Sequence, residues 1–263
     1  MMTLITMGAG NVIVLEETLK SFSHVCNEVV YGDMLLFPED REILKTYEER
    51  YNLKIITLPF DYIFKNGFSS VLNHLASFAS NDMVIYMNTS EVIEIDYGIQ
   101  EKISPEYNCY FFTHKTDPHR WFRCYNRHEL KWSGRIHEDL VGEHRPYHKP
   151  IFRMADLEKD MYNSFKAKVF NDFKEIVYFQ QYLKLIDSPE EIGATNDGWV
   201  RFAKEQYESM SERLNNKGER FKAVKNGDLH SYLANAYSNK DFENERFESS
   251  INIEFQGDKK YLL

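Results

Sequence analysis

The chain has 263 residues and a mass of 31.3 kDa, is 28% charged and 43% hydrophobic, and carries a formal net charge of −9. That length can bury a full core, as one large domain or as one domain with an attached helical piece, and the composition excludes a disordered chain. The acidic balance argues against holding nucleic acid by blanket phosphate neutralisation, and no apolar run approaches the roughly 20 residues that cross a bilayer.

The opening MMTLITMGAG lacks a basic flank and a long apolar core, so it reads as a first strand and not as a signal peptide. Thr3 to Met7 supplies that strand, and Gly8, Ala9, Gly10 and Asn11 form a turn. The turn lacks the third glycine of a dinucleotide fingerprint, and its glycines suit either a plain turn or a ligand contact. Glu16 to Phe22 is a short helix with Leu15, Leu19 and Phe22 as its buried stripe. A strand over Glu28 to Tyr31, a helix over Pro38 to Tyr51 and a strand over Leu53 to Leu58 follow. Val71, Leu72, Leu75 and Phe78 mark the next helix, and Met83 to Met87 is an almost wholly apolar strand. The order β-α-β-α-β-α-β predicts an α/β fold with a mostly parallel sheet flanked by helices.

That last strand stops abruptly at Asn88, Thr89, Ser90 and Glu91, where open α/β sheets place their ligands. Glu91 is either a ligand-facing carboxylate or a capping acid, and Asp33 either a site residue or a turn former after Gly32.

From Tyr107 the pattern changes. Tyr110 to Thr113 and Trp121 to Tyr125 read as strands separated by a turn, followed by a compact polar run from Lys131 to Asp139 and a His- and Pro-rich loop, Gly142 to Pro150, suited to a mobile flap. Tyr110 to Pro150 holds eight Lys or Arg against five Asp or Glu, plus six His. This basic island is either a phosphate-binding surface or a solvated face. Within it, Arg135 can fork onto a phosphate or pair with Glu138 or Asp139. Trp132 is a candidate platform for a sugar or base. His137 and Glu138 would point to opposite faces of a regular strand, so both serve one site only from a loop or helix start.

After Phe152 the composition turns helical, over Ala155 to Ile186, Asp197 to Leu214 and Leu229 to Ala236, before a polar tail from Asn239. Two regions are therefore expected, 1–153 carrying the site and 154–263 mainly helical. Cys26, Cys109 and Cys124 have no metal-ligand spacing and read as reduced thiols in a cytoplasm.

Four segments in this order resemble glycosyltransferase family 2, of the GT-A fold: Thr3 to Ser21, Glu28 to Asp33, Phe68 to Glu91, and Phe122 to Leu140 ending in GRIHEDL. The resemblance covers about the first 150 residues. It implies a GT-A-like sheet with a helical C-terminal extension, and transfer of a sugar from a nucleoside diphosphate donor to a hydroxyl acceptor with inversion. Residue by residue it implies nucleotide recognition by Asp33, donor binding by Asn73, Asn88, Ser90 and Glu91, and catalysis by His137 and Glu138. Beside it, Thr6, Gly8 and Arg135 are expected at the donor, Trp132 at the acceptor, and Asp139 as a second candidate base. Asn88 and Ser90 stand where the family has the two aspartates of its DxD metal motif. An Mn²⁺ or Mg²⁺ ion would then rest on Glu91 and His137, or the basic island neutralises the diphosphate instead, or catalysis has been lost. The acceptor implied is a glycan or a hydroxymethylated base in phage DNA, in a bacterial or phage-infected cytoplasm. The alternative is a non-catalytic nucleotide- or glycan-binding protein on a transferase scaffold.

Overall fold

The computed structural model describes residues 1–8, 12–33, 38–58, 62, 66–116, 121–134, 139–157, 182, 186–187 and 197–215. The chain divides into two compact units. One comprises Met1–Leu58, Ser69–Ser133 and Asp139–Asn163, the other Pro59–Phe68, Gly134–Glu138 and Ser164–Leu263.

The first unit is built on β1 (Met2–Gly8), whose seven residues are all buried. It lies between two parallel neighbours, β2 (Cys26–Asp33) and β4 (Met83–Tyr86), and β3 (Leu53–Thr57) continues the parallel run beyond β2. A strand paired on both edges and covered on both faces has no use for a charged side, which is why MTLITMG is apolar apart from its two threonines. Helices α1 (Val12–Phe22), α2 (Pro38–Tyr51) and α3 (Phe68–Ser77) occupy the connections. Val12, Leu15, Leu19 and Phe22 of α1 enter the main core, and Val71, Leu72 and Leu75 of α3 are fully buried.

The mostly parallel, GT-A-like sheet expected from the sequence is overturned: the sheet is curled and mixed. Along it the strands run β3-β2-β1-β4-β7-β6-β11-β5, where β5 is Glu91–Asp96, β6 Cys109–His114, β7 Trp121–Asn126 and β11 Phe152–Asp156. β7 is antiparallel to both of its neighbours, β4 and β6, and β5 is antiparallel to β11. β11 and the short β10 (Pro146–Tyr147) pair parallel with β6. The physical reason is the link between β6 and β7. Residues 115–120 are too few for a parallel crossover, which needs roughly a dozen or more, so the chain can only turn back on itself. A separate antiparallel ribbon joins β8 (Lys131–Ser133) to β9 (Asp139–Val141).

At the amino ends of the parallel strands the buried Glu28 ties the sheet together. Its carboxylate accepts from the Thr3 hydroxyl at 2.5 Å and from the Ser80 N–H and hydroxyl at 2.7 and 2.8 Å, and pairs with Lys54 Nζ at 2.5 Å. Burial pushes its pKa up, but Lys54, Thr3 and Ser80 together outweigh that and lower it to about 2. On the other half of the sheet, buried Asn108 anchors the stretch expected to be a mobile flap. Its side chain donates to the Glu143 carbonyl at 2.7 Å and accepts from the Arg145 N–H at 2.8 Å, and Arg145 also pairs with Glu129 at 2.5 Å.

The three cysteines are free and buried, and burial raises each thiol, Cys109 to about 11, which keeps them protonated at neutral pH. A short helix, α4 (Ile99–Lys102), follows β5. The segment expected to turn helical at Ala155 begins as strand instead.

In the second unit α5 (Asp197–Asn215) buries Ala203, and Tyr182 meets Phe202 edge to face at 6.3 Å. Most of Ala155 to Ile186, the helix expected at Leu229 to Ala236 and the tail from Asn239 lie outside the described residues. No helix among the described residues is long and apolar enough to cross a membrane.

Candidate functional site

The parallel half of the sheet brings three strand ends into line. Gly8 ends β1 opposite Asp33, which ends β2. Ile5 pairs with Tyr86 of β4, and the Met87 N–H continues that ladder by donating to the Ile5 carbonyl at 3.1 Å. The Asn88–Ser90 turn therefore stands beside Gly8. A Cβ on Gly8 would lie 3.0 Å from Thr89 Cγ2 and only 2.8 Å from the Tyr31 hydroxyl oxygen, so this position accepts nothing larger than glycine without displacing the Tyr31 ring. Thr6 faces Tyr31 across the ladder, fully buried, and its hydroxyl has no hydrogen-bond partner among the described residues. Asp33 is buried with Arg41 Nε at 3.7 Å from its carboxylate.

The turn after β4 is held from several sides. The Thr18 hydroxyl of α1 donates to the Thr89 carbonyl at 2.9 Å, and the Leu157 N–H donates to the Ser90 carbonyl at the same length. The Tyr86 hydroxyl donates to the Asn88 amide oxygen at 3.1 Å. Glu91 closes the turn: its Oε2 accepts from the Asn88 N–H at 2.8 Å while the Glu91 N–H donates to the Asn88 carbonyl at 3.1 Å. Rather than capping a helix, Glu91 begins β5, and only 6% of it is exposed.

Arg123 of β7 balances this buried carboxylate. Its Nη1 reaches Oε1 at 3.1 Å and Oε2 at 2.8 Å, and the guanidinium lies 5.3 Å from the Tyr86 ring centroid and 5.8 Å from that of Phe112. Sequence reasoning missed Arg123. The available signal was a lone cation in the otherwise apolar start of β7, WFRCYN, because a charge entering a buried strand needs a partner.

Asn73 of α3 spends both ends of its amide on the Trp132 backbone, donating to the carbonyl at 2.8 Å and accepting from the N–H at 2.9 Å. Trp132 is buried, with its ring edge-on to Tyr86 and Tyr125 at 5.8 and 5.7 Å. An indole so enclosed offers little face for stacking. Asp139 is exposed on β9, opposite Ser133. Arg135, His137 and Glu138 lie outside the described residues.

Among the described residues no three His, Cys, Asp or Glu gather as a metal-holding group. Asn88 and Ser90 bring uncharged oxygens, and Glu91 already holds a guanidinium on both of its oxygens. Two like unit charges about 4 Å apart oppose each other by roughly 4 kcal/mol at an effective dielectric near 20, and a divalent cation doubles that. The described donor set does not fit Mn²⁺ or Mg²⁺.

No protein-family model matches the chain, and no curated protein matches it. Among solved structures it is similar to S. aureus TarS, at 10% identity and a TM-score of 0.44, over 70% of this chain and 39% of that one. A structure of TarS 1–349 aligns over 97% of this chain and 91% of that one, at 9% identity and a TM-score of 0.44. The glycosyltransferase GlyE of Streptococcus pneumoniae TIGR4 aligns over 48% and 34%, at 12% identity and a TM-score of 0.33. This chain thus spans 39% of the length of the first of these. Likenesses at this level identify no family, and the chemistry of the chain is carried by its own residues.

Proposed function

We propose that the chain transfers a sugar from a nucleoside diphosphate donor to a hydroxyl acceptor. The observation that carries this reading is the alignment of Gly8, Asp33 and the Asn88 turn at the carboxyl ends of three adjacent parallel strands. The order of the four sequence segments that resemble family 2 transferases supports it. In this reading the base and ribose lie against Thr6 to Gly8 and Asp33, and the diphosphate lies by Asn88 to Glu91. The acceptor oxygen attacks the anomeric carbon as the bond from that carbon to the diphosphate oxygen breaks. The electron pair leaves with the nucleoside diphosphate, and the acceptor proton passes to Glu138 or Asp139. A single displacement of this kind inverts the anomeric centre. The acceptor is a glycan or a hydroxymethylated base in phage DNA, and the setting is a bacterial or phage-infected cytoplasm.

Calorimetry against UDP-, GDP-, CMP- and dTDP-linked sugars tests the reading, and binding to one of them is expected. A chain that binds none is not a transferase of this kind. The engagement of Glu91 by Arg123 favours a second reading, a binding protein on a transferase scaffold. Slow donor hydrolysis that disappears in Glu138→Gln favours the enzyme; binding without turnover favours the alternative.

A further inference from the structure

We infer that the nucleoside diphosphate is held at this corner without a divalent cation, the positive charge there being Arg123, which Glu91 positions. The inference rests on the donor-binding reading above and deepens it. Hard divalent cations take carboxylate oxygens with open lone pairs. Among the described residues the carboxylate at the Asn88 turn is Glu91, and its two oxygens already accept from Arg123 Nη1 at 3.1 and 2.8 Å and from the Asn88 N–H at 2.8 Å. The neighbouring Asn88 amide oxygen accepts from Tyr86. What the corner supplies is a guanidinium, always charged and forked to suit phosphate oxygens. Its place is set in part by the carboxylate and by the Tyr86 and Phe112 rings. Glu91 is accordingly a positioning residue.

Calorimetric titration of the whole chain with UDP, GDP, dTDP and CMP, once in EDTA and once in excess MnCl₂, tests this. The nucleotide that binds is expected to have the same Kd in both buffers, within about twofold. Arg123→Met should weaken binding in EDTA by at least about tenfold with the circular dichroism unchanged, and Glu91→Gln, which removes the charge that positions the guanidinium, should weaken it by less. If Arg123→Met fails to fold, the two buffers decide on the parent chain alone. Binding that requires Mn²⁺ overturns the inference and leaves the donor-binding reading standing. A folded Arg123→Met that keeps full affinity overturns the assignment of the charge. No binding of any nucleotide in either buffer overturns both.

Discussion

The Glu91–Arg123 pair decides how the candidate site tolerates change. Both side chains are largely enclosed, at 8% and 14% exposure, so removing either partner strands a charge away from water. Breaking a buried pair in this way costs about 3–5 kcal/mol, whereas replacing both partners by apolar groups of similar volume is often far cheaper. Glu91→Ala is therefore expected to destabilise the chain more than the double change Glu91→Leu with Arg123→Met, and denaturant unfolding of the two variants compares them directly. If the single change proves the milder, the pair is not the buried unit drawn here. Gly8 offers a second case. Its absent side chain makes room for the Tyr31 hydroxyl, so Gly8→Ala should cost about 1–3 kcal/mol through overpacking. Adding Tyr31→Phe removes the oxygen nearest the new methyl and should return part of that loss. A loss that Tyr31→Phe leaves untouched would point to Thr89 as the obstacle.

At the scale of elements, the Asn73 amide is what fixes β8 to α3. Asn73→Ala leaves the Trp132 N–H and carbonyl without their partners, a loss of about 1–3 kcal/mol for a buried unsatisfied group. Hydrogen exchange at the Trp132 amide should accelerate in that variant while exchange in β1 stays slow. Equal rates in variant and parent would mean the clamp holds nothing. The parallel strands were legible because each is a short apolar run, and the runs before α1 and α2 and after α3 are set off by helical spacing. Pairing of the later strands was not legible. Nothing in Trp121–Asn126 says that β7 inserts between β4 and β6, since that choice is settled by contacts distant in sequence. The site shows the same divide. Asp33, Asn88 and Glu91 stand out as candidates because each lies at or just beyond the end of an apolar run, whereas the pairing of Arg123 with Glu91 does not show, because the two lie 32 residues apart.

For the molecule as a whole, the two edges of the parallel strands differ in kind. The carboxyl ends carry a Thr6 hydroxyl with no partner among the described residues and a carboxylate paired with a guanidinium, while the amino ends are closed by Glu28, whose partners come from β1, β3 and the segment before β4. Holding strands of distant sequence at one end leaves the other end to differ in chemistry without loss of register. The closed end also sets an acid limit. Glu28 has a pKa of about 2 in the folded chain against an ordinary value of 4.5. A carboxylate depressed on folding contributes its stability fully above the unfolded value and loses it as pH falls through the folded one. At roughly 1.4 kcal/mol per pH unit, that difference amounts to about 3 kcal/mol, present above pH 4.5 and gone near pH 2. Glu28→Gln should therefore be less stable than the parent at neutral pH, and the gap between them should close between those two pH values. Urea unfolding of both chains across that range measures it. A gap that stays constant down to pH 2 would remove Glu28 from the acid response and with it the carboxylate account of this edge.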